Sequence, residues 1–185
     1  MKKALILVGS RDHEGRTGKT AQTLASSMTA ANIKVETRYL LELNLQTCIQ
    51  RGKNGFGMCL DEGWCKLEDD FAGLVKEVQA SDLLVVVSPV YWGDLSECTR
   101  VFLDRLRRIG LHPHGKEGIA GKKAIGVCVA GGQGGGAPNC CDILQRILHH
   151  CDFDVIDMIP ARKQNFEHKL DVLKLTGTWL AKELA

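Results

Sequence analysis

The chain has 185 residues, of which 44% are apolar and 25% charged, and its net charge is +2. That is enough chain for one globular domain with a sizeable core, residues 1–185 as a single unit. A charge this even leaves no electrostatic footprint for nucleic acid or an anionic membrane, and the apolar runs are strand-sized, far short of the about 20 residues of a membrane span.

The start Met1-Lys2-Lys3 has the charge of a signal peptide, but the apolar run behind it is too short for one. The expected location is therefore the cytoplasm. Eight cysteines at irregular spacings do not make the framework of a small disulfide scaffold and read as reduced thiols.

The first strand runs from Lys3 to Val8. It stops at Gly9-Ser10, crosses a polar loop, Arg11-Asp12-His13-Glu14-Gly15, and enters a helix over about residues 17–31, with Ala21, Leu24, Ala25 and Met28 on one stripe. A helix N-terminus offers free N–H groups and the positive end of a dipole. With the hydroxyls of Ser10, Thr17 and Thr20 it suits a phosphate. Gly18-Lys19-Thr20 is not a P-loop, because the earlier glycine that motif needs is His13.

Residues 34–40 alternate as a second strand. Residues 43–68 lack periodicity and carry Cys48, Cys59 and Cys65; a loop so long in a compact domain is functional or covers a substrate. A helix beginning at Asp69 or Asp70 ends near Ala80. Leu83 to Val87 is the most hydrophobic strand and reads as buried on both faces. Ser88-Pro89-Val90-Tyr91-Trp92-Gly93 follows, then a helix over about 95–109, a fourth strand over 124–129 holding Cys128 as a small core residue, and a glycine-rich loop over 131–136. A helix over about 139–150 carries Cys140, Cys141, His149, His150 and, just beyond it, Cys151, all expected at its surface. A fifth strand, 153–159, is stopped by Pro160, and a helix over about 166–184 completes the pattern.

Five strands alternating with five helices predict an α/β three-layer sandwich, flavodoxin-like, whose five-stranded parallel sheet has the order 2-1-3-4-5. Ligands of such sheets bind at the carboxyl ends of the strands, beside the switch point. The loops after strands one, three and four then converge on one crevice. Gly132, Gly134 and Ala137 also fit a dinucleotide fingerprint, with Asp154 or Asp157 as its acidic partner, but that motif belongs to a first strand and here only one strand follows.

The stretches Val8-Gly9-Ser10-Arg11 with Gly15-Arg16-Thr17-Gly18, the run Ser88-Pro89-Val90-Tyr91-Trp92-Gly93, and Phe102-Leu103-Asp104-Arg105 resemble those of the NAD(P)H-dependent FMN reductases and their iron–sulfur flavoprotein relatives. The resemblance implies an FMN cofactor. Ser10, Arg16, Thr17 and Gly18 would hold its phosphate, and Arg11 with Arg16 would offset the charge. Pro89, Val90, Tyr91, Trp92 and Gly93 would line the isoalloxazine, with the backbone of Gly131, Gly132 and Gly134 at its other edge.

The implied activity passes hydride from NADH or NADPH through FMN to a quinone, a flavin or a similar small-molecule acceptor. The flavin carries the chemistry, so no catalytic acid–base set is expected. The implied assembly is a homodimer or homotetramer. An iron–sulfur cluster is the alternative for Cys48, Cys59 and Cys65, but a cluster uses about four thiolates and only three are local; the fourth would come from Cys98 or from another subunit. A flavodoxin-type one-electron carrier is the other alternative; such carriers are acidic, and a pI near 8.1 argues against it.

Overall fold

A computed structural model describes residues 1–50 and 52–185. Its elements are β1 (Lys3–Val8), α1 (Arg16–Ala30), β2 (Lys34–Tyr39), α2 (Met58–Asp61), α3 (Phe71–Ala80), β3 (Leu83–Tyr91), β4 (Asp94–Leu95), α4 (Glu97–Ile109), α5 (Pro113–Lys116), β5 (Lys123–Ala130), α6 (Ala137–His150), β6 (Asp154–Arg162) and α7 (Phe166–Glu183). Short 3₁₀ turns precede the long β2–α3 segment and α7.

The parallel order is β2-β1-β3-β5-β6, the predicted 2-1-3-4-5 once β4 is set aside. The sixth strand is the correction. β4 is two residues long and pairs antiparallel with the end of β3, Val90 with Leu95 and Tyr91 with Asp94. Residues 88–95, expected as a loop running into a helix, thus form a small hairpin. Pro89 is tolerated in β3 because β1 has already ended at Val8, where Gly9 N–H makes the last bond to Val87.

Alternate strand residues feed two cores. Leu5, Leu7, Leu84, Val86 and Cys128 meet α3, α4 and α6 on one face. Ala4, Ile6, Val8, Val85, Val87, Val127 and Val129 meet α1 and α7 on the other. Leu83 to Val87 is at most 1% exposed, and each such side chain contributes about 1.5–3 kcal/mol relative to exposure. This double burial is why the strand reads as an unbroken apolar run.

Two further expectations change. The last strand does not stop at Pro160 but pairs with β5 through Cys128↔Pro160 to Ala130↔Arg162. β6 lies at the sheet edge, where a proline has no outward ladder bond to lose. Cys140, Cys141 and Cys151 are buried, not surface residues, whereas His149 and His150 are exposed. α6 is wedged between the sheet and α4, so its buried face is wide enough to take adjacent residues. Hydrogen bonding to Cys140 and Cys141, then burial, pushes the Cys128 thiol up; burial takes Cys151 to about 12. Both stay protonated, as inert core thiols do.

The described residues of the β2–α3 segment do not line the crevice described below. The segment is fastened along α4. Arg105, 1% exposed, donates to both carboxylate oxygens of Asp69 at 2.6 and 2.9 Å, to the Gln46 carbonyl at 3.0 Å and to Cys65 Sγ at 3.2 Å. Its guanidinium lies 4.1 Å from the centre of the Phe71 ring. Arg108 donates to the Gly55 carbonyl at 2.9 Å and stacks over Phe56.

Burial alone would raise the Asp69 carboxyl, but hydrogen bonds from Arg105 and from the N–H groups of Gln46 and Phe71 bring it below its ordinary 3.8. A depressed carboxylate contributes stability that is whole above 3.8 and is lost as pH falls through the lower folded value. Acid unfolding followed by circular dichroism should therefore be shallower below that point in Asp69→Asn than in the wild type.

Candidate functional site

A crevice of about 1910 Å³ opens at the carboxyl ends of β1, β3, β5 and β6. Its walls are Ser10, Asp12, residues 14–17 and Lys19 from the first loop; residues 89–93 from the hairpin; residues 129–133 with Gly135 and Gly136 from the glycine-rich loop; and residues 163–168 with Leu170 from the β6–α7 corner. The three loops expected to meet do so. The β6–α7 corner is the wall that sequence reasoning missed. It carries no motif, and only the rule that ligands gather at strand carboxyl ends could have found it.

At the first wall the backbone folds on itself. The Asp12 carboxylate accepts from the N–H groups of Glu14 at 3.0 Å and Gly15 at 2.9 Å, while Ser10 Oγ accepts from Asp12 N–H. No side chain caps α1, and its first helical bond is Lys19 N–H to the Gly15 carbonyl. The N–H groups of Arg16, Thr17 and Gly18 therefore precede the helical ladder. Beneath them the Thr20 hydroxyl is wholly buried and has no partner. Thr20 itself is not on the crevice wall. Free N–H groups beside the Ser10 and Thr17 side chains of the wall fit the phosphate of a flavin nucleotide.

Of the residues assigned to that end, Ser10, Arg16 and Thr17 line the crevice. Arg11 is exposed and is not on its wall, and Gly18 is buried behind it against the His13 carbonyl. Arg16 reaches across: its Nη2 is 3.5 Å from where a Cβ on Gly131 would stand.

The second wall is a tight hairpin. Trp92 and Gly93 have φ of 52° and 83°, the two left-handed centres of a type I′ turn. Tyr91 is 48% exposed and Trp92 fully exposed, so neither is a core residue. Behind them Ser88, Ser96 and Thr99 form a buried hydroxyl network: Ser88 Oγ accepts from Ser96 N–H at 3.1 Å, and Ser96 Oγ lies 2.9 Å from Thr99 Oγ1. Gly9 is required there, since a Cβ would come within 2.5 Å of Ser96 Oγ.

The third wall is joined to the second by Asn139, whose Nδ2 donates to the Gly93 carbonyl at 3.0 Å. Gly131 and Gly132 line the crevice. Gly134 does not; it packs against Gln164, whose Nε2 donates to the Gln133 carbonyl at 2.7 Å. Its glycine is needed for that protein contact. Asp154 and Asp157 lie on β6 and are not on the crevice wall.

Among the described residues, no three His, Cys, Asp or Glu side chains form a group that could hold a metal ion. Cys65 is engaged by Arg105, and Cys59 and Cys65 pack against the core. These donors do not fit a cluster that takes about four thiolates. No helix among the described residues is long and apolar enough to cross a membrane.

The chain is 32% identical over 133 residues to an iron–sulfur flavoprotein of Methanocaldococcus jannaschii, covering 71% of this chain and 65% of that one. It is 27% identical over 111 residues to an iron–sulfur flavoprotein of Archaeoglobus fulgidus, covering 60% and 48%. The chain thus spans less than two thirds of the length of either relative. The NAD(P)H:quinone oxidoreductase of Methanothermobacter marburgensis superimposes with a TM-score of 0.71 over 96% of this chain and 95% of that one; at 16% identity the likeness is one of fold. The sequence model of the NADPH-dependent FMN reductases matches residues 2–168, nearly the whole length, and the chain belongs to that family.

Proposed function

We propose that this chain binds FMN and works as an oxidoreductase, passing electrons from NADH or NADPH to a small-molecule acceptor such as a quinone or a free flavin. The observation that carries the reading is the meeting of segments from four distant parts of the chain around one crevice, with the unfilled N–H groups at the start of α1 at one end.

Ser10, Thr17 and the N–H groups of Arg16 to Gly18 would hold the phosphate, and the Arg16 guanidinium would balance its charge. Residues 89–93 would flank the ring on one side and Gly131 and Gly132 on the other. FMN, when bound, supplies the hydride and electron chemistry. The chain binds and orients. The crevice volume exceeds the roughly 300–1,000 Å³ of an ordinary ligand site, which leaves room for a nicotinamide beside the flavin.

An absorption spectrum of the protein with added FMN, followed by anaerobic mixing with NADPH, tests this. The expected result is tight FMN uptake and bleaching of the oxidised-flavin bands. Failure to take up FMN would end the reading. Replacing Ser10 and Thr17 together with alanine should weaken FMN binding by on the order of a hundredfold, as two bonds to a charged group are lost, measured by flavin fluorescence; unchanged binding would place the phosphate elsewhere.

The names of the two curated relatives favour a second reading, an iron–sulfur flavoprotein. Among the described residues no three cysteines, histidines or carboxylates come together as a metal-holding group, and Cys65 is engaged by Arg105. Stoichiometric iron and labile sulfide in anaerobically purified protein would restore it. The proposal includes a homodimer or homotetramer in the cytoplasm. The exposed Tyr91–Trp92 turn is where a second copy would sit, and sedimentation velocity would report it.

A further inference from the structure

Both neighbours of His13, Asp12 and Glu14, stand on the crevice wall, but His13 does not. It turns outward and ties the phosphate-end loop to three other parts of the fold. Its ring stacks on Tyr39, the last residue of β2, with centroids 3.6 Å apart and planes 12° from parallel. Its Nε2 lies 2.6 Å from Glu42 Oε1 in the turn after β2. Its carbonyl accepts from Gln22 Nε2 of α1 at 3.0 Å and presses against Gly18.

The loop's internal bonds shape it but leave its height above α1 undetermined. The Asp12 and Ser10 bonds are all within five residues of one another. The height is fixed by His13, through the end of β2 on one side and α1 on the other. The amides that the loop aligns belong to Arg16, Thr17 and Gly18, and charge-assisted bonds from such groups fall off steeply with misalignment.

We propose that His13 is a positioning residue for the 5′-phosphate of the flavin: stacked on Tyr39 and bonded to Glu42, it holds the loop so that the start of α1 is preset for an anion. The proposal rests on the flavin-binding reading above and adds a specific consequence. His13 acts on the phosphate end alone, so it supports binding of FMN and not of riboflavin, which has the same ring and no phosphate.

The test is titration of the wild type, His13→Ala and His13→Phe with FMN and with riboflavin. Exchange of the Glu14, Gly15 and Lys19 amides, whose bonds close the loop and begin the helix, is measured in the flavin-free proteins. His13→Ala should bind FMN about tenfold more weakly, the scale of one lost stack and one lost hydrogen bond, with riboflavin affinity unchanged. Its amides should exchange faster. His13→Phe keeps the stack and should recover part of the loss. Equal weakening of both ligands would make His13 a general structural residue and overturn the proposal, as would unchanged FMN affinity with unchanged exchange. A wild type that binds neither flavin would instead overturn the flavin reading itself, and this proposal with it.

Discussion

Gly18→Ala is expected to weaken FMN binding by about a hundredfold, the loss of one or two bonds to a charged phosphate, and to lower the melting temperature as well. The sign of the second effect is informative. Alanine inside a helix is ordinarily better than glycine by about 1 kcal/mol. Here the added Cβ would stand 2.8 Å from the Asp12 carbonyl oxygen and closer still to that of His13. Both are backbone atoms, so no side chain can swing aside. The loop over residues 12–15 must lift, and the N–H groups it presents move with it. Calorimetric titration with FMN and a thermal melt check both effects. A stabilised variant with intact binding would show that the loop has slack, and that the phosphate end is not where we place it.

Arg105→Met is expected to cost about 3–5 kcal/mol, the usual penalty for removing one partner of a buried ion pair. The Asp69 side chain is fully buried and would be left with backbone donors only, while the Gln46 carbonyl would lose its partner. For a chain of this size the melting temperature should fall by on the order of 10 °C. The double variant Arg105→Met, Asp69→Leu removes both charges and should recover much of the loss. If the single and double variants melt together, the pair is not what fastens the β2–α3 segment. FMN affinity should change little in either, because none of the described residues between 43 and 70 lines the crevice.

The sheet was legible because its signals are local. Strands buried on both faces must be apolar along their length, and helices on those faces must carry apolar stripes, so Leu83 to Val87 and the Leu24–Met28 stripe could be read directly. What escaped depends on neighbours in space. Pro160 looks like a stop unless β6 is known to be an edge. Cys140 and Cys141 look like surface positions until α6 is seen to touch both the sheet and α4. Arg105 appeared only within a family motif, because nothing in its sequence surroundings announces a partner at Asp69, 36 residues away. The same holds for the site. Ser10, Thr17 and residues 89–93 were found by motif and by their place after strands. Residues 163–168 carry no pattern, and Gly134 shares the look of its neighbours while serving a contact with Gln164.

The margins of the sheet set how copies of this protein can meet. β2 shows water an alternation of Lys34, Glu36 and Arg38, linked to each other and to Glu77; β6 at the opposite margin lacks a donor at Pro160. A foreign strand arriving at either side would have to strip charges or skip a rung. Self-assembly by strand addition is thereby discouraged at both ends, and this protection from fibril-like stacking leaves the helical and loop faces for any association.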